Sequence, residues 1–221
     1  MSLDTEQALA ALPGRRENLP GEMAKRATDL VIAGASFLLF SPLLLVLGLW
    51  IKLDSKGPVF YRGLRAGRFG KPFYVFKLRT MVQNAERLGG AESPADDPRI
   101  TRVGSFLRLY KFDELPQLLN VIRGEMSLVG PRPEVLEEVR RYTPREQQLL
   151  TVRPGVTDWA SIKFRNEDEL LRGSSDPHRD YHEKILPHKI QLGLEYVEKR
   201  SWLVDLKILL QTLRAVIFHA A

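Results

Sequence analysis

The longest hydrophobic pattern in the chain is an uncharged run of 22 residues, Leu30–Ile51. A straight bilayer span takes ~20 residues, so the run reads as a membrane helix and not as a buried core helix. It starts too late and runs too long for a secretory signal, and Lys52 follows where small cleavage-site residues would stand. Ser41-Pro42 falls at its middle. Pro42 has no N–H for the carbonyl of Leu38, and its ring crowds that carbonyl. A kink is predicted there, with the Ser41 hydroxyl as a local partner for the freed oxygen. Each half would then be roughly 15 Å long, enough to reach about the bilayer midplane. Arg15, Arg16, Lys25 and Arg26 precede the run, and Lys52, Lys56, Arg62, Arg65 and Arg68 follow it. Basic flanks on both sides give no preferred direction of crossing. A re-entrant helix with both flanks on one side fits this pattern; a kinked single span with residues 1–28 outside is the other arrangement.

Residues 1–28, with Pro13-Gly14 and Pro20-Gly21 as breakers, read as a flexible or interfacial segment. Residues 29–52 form the membrane helix and 53–221 the remaining domain. There, Pro58–Arg62 and Phe73–Met81 predict two strands joined by a long basic turn, Gly63–Pro72. Alternation puts Phe73, Val75, Lys77 and Arg79 on one face, so Lys77 and Arg79 point the same way, which suits a phosphate; a solvated strand face is the other reading. Val103, Phe106, Leu107 and Tyr110 make the apolar stripe of a helix starting near Ile100. Pro116 is comfortable only in a first turn, so the next helix should begin at about Asp113. Asp113 and Glu114 then sit at its positive end. Such acids either cap the helix or form a chemical pair, one carboxylate a nucleophile and its neighbour a metal ligand. Further on, Pro131 and Pro133 fix the backbone around Arg132, whose planar fork suits phosphate oxygens; a plain basic turn is the other reading. Val152–Ala160, containing Arg153-Pro154-Gly155, reads as a second rigid turn, followed by Phe164-Arg165-Asn166. His178 and His182 have metal-ligand spacing but no third histidine at a usual distance, and Pro177 suggests a helix start instead. Trp202–Phe218 is amphipathic and suits either packing on the domain or the membrane interface.

Composition narrows the partners. The absence of cysteine excludes disulfides, Cys-ligated zinc, iron–sulfur clusters and cysteine nucleophiles. Residues 52–112 carry 13 basic and 5 acidic side chains, against 16 and 17 in residues 113–221. The excess of positive charge therefore directly follows the apolar run, which favours an anionic membrane surface or a phosphorylated substrate over nucleic acid.

Several segments together resemble the bacterial sugar transferases, the monotopic polyprenyl-phosphate phosphoglycosyltransferases. They are Ser41-Pro42 in its apolar run, Phe76-Lys77-Leu78-Arg79-Thr80-Met81, Arg108 with Asp113-Glu114-Leu115-Pro116-Gln117-Leu118-Leu119-Asn120-Val121, Met126–Pro133, and Arg153-Pro154-Gly155. The similarity runs from about Met23 onward, in a short form. It implies an α+β, mainly helical monotopic fold with a small β-hairpin, and a re-entrant membrane helix broken at Ser41-Pro42. The implied location is the cytoplasmic face of the bacterial inner membrane, with 53–221 as the catalytic domain. The resemblance makes Asp113 and Glu114 the catalytic pair with Mg²⁺, and implies transfer of a sugar-1-phosphate from a UDP-sugar to polyprenyl phosphate. Transfer would pass through an aspartyl-phosphosugar on Asp113 and release UMP, starting a surface glycan. Lys77, Arg79, Arg108, Arg132, Pro133 and Arg165 are the matching substrate-binding positions. Membrane lipids and downstream glycosyltransferases are the further implied partners. Asp158 and Ser161 depart from the common family pattern (Gly-Trp and Ala-Gln) beside Arg165. A membrane-anchored basic protein that only binds anionic lipid or nucleic acid is the competing reading.

Overall fold

The computed structural model describes residues 19–89 and 93–218. Residues 1–18 of the expected N-terminal segment lie outside the described residues. The fold is mainly helical, with one antiparallel hairpin.

Helix α1 spans Leu19–Asp54, ten residues earlier than the expected start at residue 29. Pro20 lies in its first turn, where a missing N–H costs nothing, so Pro20-Gly21 begins the helix and does not break it. The backbone stays helical through Pro42, and the expected break into two helices at Ser41-Pro42 is not present. The Ser41 hydroxyl donates to the Leu38 carbonyl at 2.8 Å, the oxygen that Pro42 leaves free.

One face of α1 holds to the rest of the molecule, with Ala33 buried in the core, Phe37 packed beside it, and Leu43 and Leu44 packed on a second apolar cluster. Lys25 pairs with Asp205 at 2.6 Å, and Asp205 also accepts the Tyr196 hydroxyl at 2.8 Å. Arg26 donates to the Val121 and Ile122 carbonyls at 2.8 and 3.1 Å. The buried Asp29 accepts from the Ser127 hydroxyl at 2.7 Å and from the Leu128 N–H at 3.1 Å. Beyond the middle, Leu47 and Ile51 join Leu78, Val103 and Leu107 in one apolar cluster. The Trp50 ring meets Phe106 at 5.2 Å, and Phe106 meets Phe112 at 6.2 Å. Leu38 and Leu39, between these anchors, are 76% and 73% exposed. Asp29→Ala strands a buried hydroxyl and a buried N–H, each costing ~1–3 kcal/mol. We expect a total near 3 kcal/mol and a fall in Tm of roughly 6–12 °C in detergent; an unchanged melting curve would show that the anchor carries no load.

The hairpin pairs β1 (Phe60–Ala66) with β2 (Pro72–Leu78), in register Phe60↔Leu78 to Ala66↔Pro72. Toward the turn the strands reach further than the sequence pattern suggests, so the turn is only residues 67–71, while β2 stops at Leu78, three residues before the expected Met81. Phe73 and Val75 face the core beside Leu118, Val121 and Met126. Helix α2 (Arg102–Tyr110) starts at Thr101, whose hydroxyl accepts from the Gly104 N–H at 2.9 Å. A Cβ at Gly104 would stand 1.9 Å from the Thr80 carbonyl oxygen, so only glycine lets this helix approach the strand's continuation. Helix α3 (Gln117–Arg123) leads to β3 (Ser127–Val129).

Strand β3 pairs in parallel with β4 (Gly155–Thr157), a contact the sequence pattern does not predict. After the intervening α4 (Leu136–Val139) come α5 (Trp159–Lys163), α6 (Glu167–Leu170) and α7 (Pro177–Asp180). A π-turn at Tyr181–Ile185 leads into α8 (Leu186–Lys199), and α9 covers Trp202–Phe218. Ile208 of α9 is buried in the core, while Leu206, Leu210 and Leu213 are exposed.

Candidate functional site

The segment bearing the two acids is tighter than a regular helix. Lys111 caps α2 in the left-handed region at φ 58°, a strain of about 1 kcal/mol that turns the chain sharply inward. Phe112–Glu114 then forms a 3-10 turn, and α3 begins only at Gln117. The expected helix start at Asp113 is therefore four residues early. Pro116 has no N–H to close an α-helical bond, and i→i+3 bonds such as Leu118 N–H to Leu115 O take over.

Asp113 is buried and its Oδ1 has no hydrogen-bond partner. Glu114 has the opposite environment. Its Oε1 accepts from Lys77 Nζ at 2.8 Å and from Arg132 Nη2 at 2.6 Å, and Arg132 Nη1 lies 3.4 Å from Oε2. These surroundings push the neighbouring carboxyls apart. Burial raises the pKa of Asp113, with Lys77 the first of the cations opposing it. Burial also acts on Glu114, but Arg132 and Lys77 outweigh it and hold that carboxyl well below the ordinary range. Glu114 in turn raises the pKa of Arg132. The site therefore joins one charge-paired carboxylate to one buried, unpaired carboxyl.

Distant elements aim the cations. Lys77 lies on the same face of β2 as Phe73 and Val75, as alternation requires. Asn120 of α3 fixes that strand: its Oδ1 accepts from the Phe76 N–H at 3.0 Å and its Nδ2 donates to the Tyr74 carbonyl at 2.8 Å. Arg132 is aimed by the β3–β4 pairing, with Gly155 N–H bonded to Pro131 O at 2.9 Å and Gly130 N–H to Thr157 O at 3.1 Å. A Cβ on Gly155 would meet Gly130 N at 2.1 Å, so the two rigid turns of the sequence lock directly against each other. Pro131 and Pro133 hold the backbone on either side of Arg132.

Of the other expected residues, Arg108 and Arg165 stay near the site and Arg79 does not. Strand β2 ends at Leu78, and Arg79 turns away from Lys77 to become buried. Its guanidinium donates to the carbonyls of Ser55 (2.8 Å), Lys56 and Ile51 (3.5 Å), closing the C-terminal end of α1. Arg79 therefore does not share the Lys77 direction. Arg79→Leu should cost ~2–3 kcal/mol through the unpaired carbonyls, read as a lowered Tm. An unchanged melting curve would mean that these contacts do not hold the end of α1. Arg108 donates to Thr80 Oγ1 at 3.1 Å and to Ser93 Oγ at 2.8 Å, and its charge is felt by Asp113. Arg165 donates to the Ala215 carbonyl and lies 3.5 Å from that of Leu109. Asp158, one of the departures from the family pattern, is the N-cap of α5 and accepts from the Ser161 N–H at 2.6 Å.

A cavity of about 260 Å³ adjoins Glu114 and Arg132. Lys111, Glu167 and Lys189 also line it, and Lys189 forms an ion pair with Glu167. Sequence reasoning missed all three, because Lys189 reaches the cavity only through the packing of α8. Among the described residues no group of three or more His, Cys, Asp or Glu side chains is placed to hold a metal. The His178 and His182 rings meet at 4.3 Å, tilted by 57°. Two carboxylates with substrate phosphates are the usual ligand set for Mg²⁺, and the unpartnered Asp113 oxygen fits such an ion.

Residues 20–219 match the model of a family described as bacterial sugar transferase. A UDP-glucose:undecaprenyl-phosphate glucose-1-phosphate transferase of Caulobacter vibrioides is 38% identical over 199 residues, covering 89% of this chain and 70% of the relative. An exopolysaccharide production protein of Sinorhizobium fredii is 39% identical over 212 residues, with 89% and 86% covered. A UDP-glucose:undecaprenyl-phosphate glucose-1-phosphate transferase of Escherichia coli is 37% identical over 194 residues, and there the chain spans only 39% of the relative's length.

Proposed function

The chain belongs to the bacterial sugar transferase family, and from that premise we propose that it moves a sugar-1-phosphate from a UDP-sugar to undecaprenyl phosphate, starting a surface glycan such as an exopolysaccharide. The observation that carries this reading is the pairing of a buried, unpartnered Asp113 oxygen with Glu114 gripped by Lys77 and Arg132.

In the first step an Asp113 carboxylate oxygen attacks the β-phosphorus of the donor, the bond from that phosphorus to the bridging oxygen breaks, and UMP leaves. In the second, a phosphate oxygen of the acceptor attacks the same phosphorus and the Asp113 carboxylate is released. Asp113 and Glu114 would hold Mg²⁺, which when bound draws charge from the diphosphate. Lys77 and Arg132, fixed on Glu114, face the charge that develops on the transferred group. Arg108 lowers the cost of ionising Asp113.

Membrane placement follows from α1. One face of α1 packs on the domain, while Val31, Leu38, Leu45 and Leu49 of the other face are exposed along its length. That exposed apolar face supports a monotopic placement at the cytoplasmic side of the membrane, with the unbroken α1 lying against the lipid. The exposed Leu206, Leu210 and Leu213 of α9 suit the same interface.

The test is nucleotide release in lipid nanodiscs containing undecaprenyl phosphate and Mg²⁺, with a panel of UDP-sugars. UMP from one donor is expected. UDP in its place would refute the phosphosugar route, and no nucleotide from any donor would favour a protein that only binds anionic lipid.

A further inference from the structure

The cavity beside Glu114 joins a charged end to an apolar wall. Its volume, about 260 Å³, is below the ~300–1,000 Å³ of sites for drug-sized ligands, so a whole nucleoside diphosphate sugar does not fit inside it. Away from Glu114 and Arg132 the wall is Leu115, Leu118, Val156, Ile162, Phe164 and Val216. Two of the wall's hydroxyls are already engaged with each other. Thr212 Oγ1 donates to the Ile208 carbonyl at 2.8 Å, which leaves Thr157 as donor in the 2.8 Å contact between the two threonines. The two threonines therefore have no hydroxyl hydrogen left for a sugar or pyrimidine ring, and the polar groups that remain, Ser161, Glu167 and Lys189 among them, join a wall whose other members are apolar. The apolar wall also leads outward. Val216 both lines the cavity and is 37% exposed, on the helix that carries the exposed Leu210 and Leu213. Lys111 and Arg165 line the same space and supply cations for a phosphate.

We infer that this cavity is the slot for the acceptor's first isoprene units, with the acceptor phosphate at its charged end and the rest of the chain leaving along α9 into the lipid. This rests on the transferase reading above and adds to it where the two substrates divide: the prenyl chain takes the slot between α3, α5 and α9, and the donor's base and sugar lie outside it.

Ala215→Trp fills the slot from α9. The expected result is an acceptor KM raised more than tenfold with the donor KM held within twofold. A donor KM raised by the same factor or more, or both constants unchanged, would overturn the assignment. Photolabelling of the wild-type protein gives an answer that needs neither turnover nor the variant. A prenyl phosphate with a diazirine on its first isoprene should label residues 156–165 and 212–216. Unlabelled undecaprenyl phosphate should compete and phosphatidic acid should not. Label elsewhere, or equal competition by phosphatidic acid, would show that the slot is not specific for a prenyl chain. A wild-type protein that releases no UMP from any donor would instead fault the transferase reading, and the labelling pattern would still decide what the slot accepts.

Discussion

Asp113→Asn is expected to lower sugar-1-phosphate transfer by more than about 10⁴-fold, the scale of losing a covalent nucleophile. The amide keeps the shape of the carboxyl but cannot attack phosphorus. The same change should not weaken the fold. Burial raises the Asp113 pKa in the folded protein, so ionising it there costs more than in the unfolded chain. The sign follows from proton linkage: that cost is absent below the unfolded value near ~3.9 and grows as pH rises through the folded value. At neutral pH and in chelator, the Asn variant should therefore melt at or above the wild-type Tm, and the two curves should converge near pH 4. A variant that is inactive and also clearly less stable would mean that Asp113 is a structural anchor.

Glu114→Gln should behave differently, because Glu114 is the charge-paired member. Lys77 and Arg132 would lose the carboxylate that fixes both, and transfer should fall by roughly 10²–10³-fold, as when a preorganised electrostatic group is lost. Stability should fall too, by about 2 kcal/mol, since two half-buried cations are left with a neutral partner. Glu114 is held well below its ordinary pKa, so its contribution is fully present above the unfolded value near ~4.3 and is lost as pH falls through the folded one. The stability gap between variant and wild type should thus be flat from pH 6 to 8 and close in acid. A gap that widened below pH 5 would contradict the pairing.

What the sequence revealed was local, and what it concealed was long-range. The Ser41 hydroxyl on the Leu38 carbonyl, the stripe of α2 and the inward direction of Lys77 all follow from rules spanning a few residues. The hairpin, the acid pair and the rigid turns around Arg132 and Gly155 were likewise legible as pieces. Arg79 was misread because alternation holds only while the strand lasts, and β2 stops one residue before it. The β3–β4 pairing was invisible because three-residue strands show no period. The cavity was invisible because its walls come from α3, β4, α5 and α9. The early start of α1 has a similar cause: Lys25, Arg26 and Asp29 find their partners on β3, α3 and α9, and nothing near them in sequence signals those contacts.

The seam between Lys25 and Asp205 also sets an order for events during synthesis. The two residues are 180 positions apart. At ~5–20 residues per second, Asp205 is made about 10–40 s after Lys25. Through that interval Lys25 waits for Asp205, and for the first part of it Asp29 waits for Ser127. Arg26 and Asp29 can close on α3 and β3 first, and the seam to α9 closes last. Until then the nascent chain holds an apolar helix whose N-terminal charges lack their last partner.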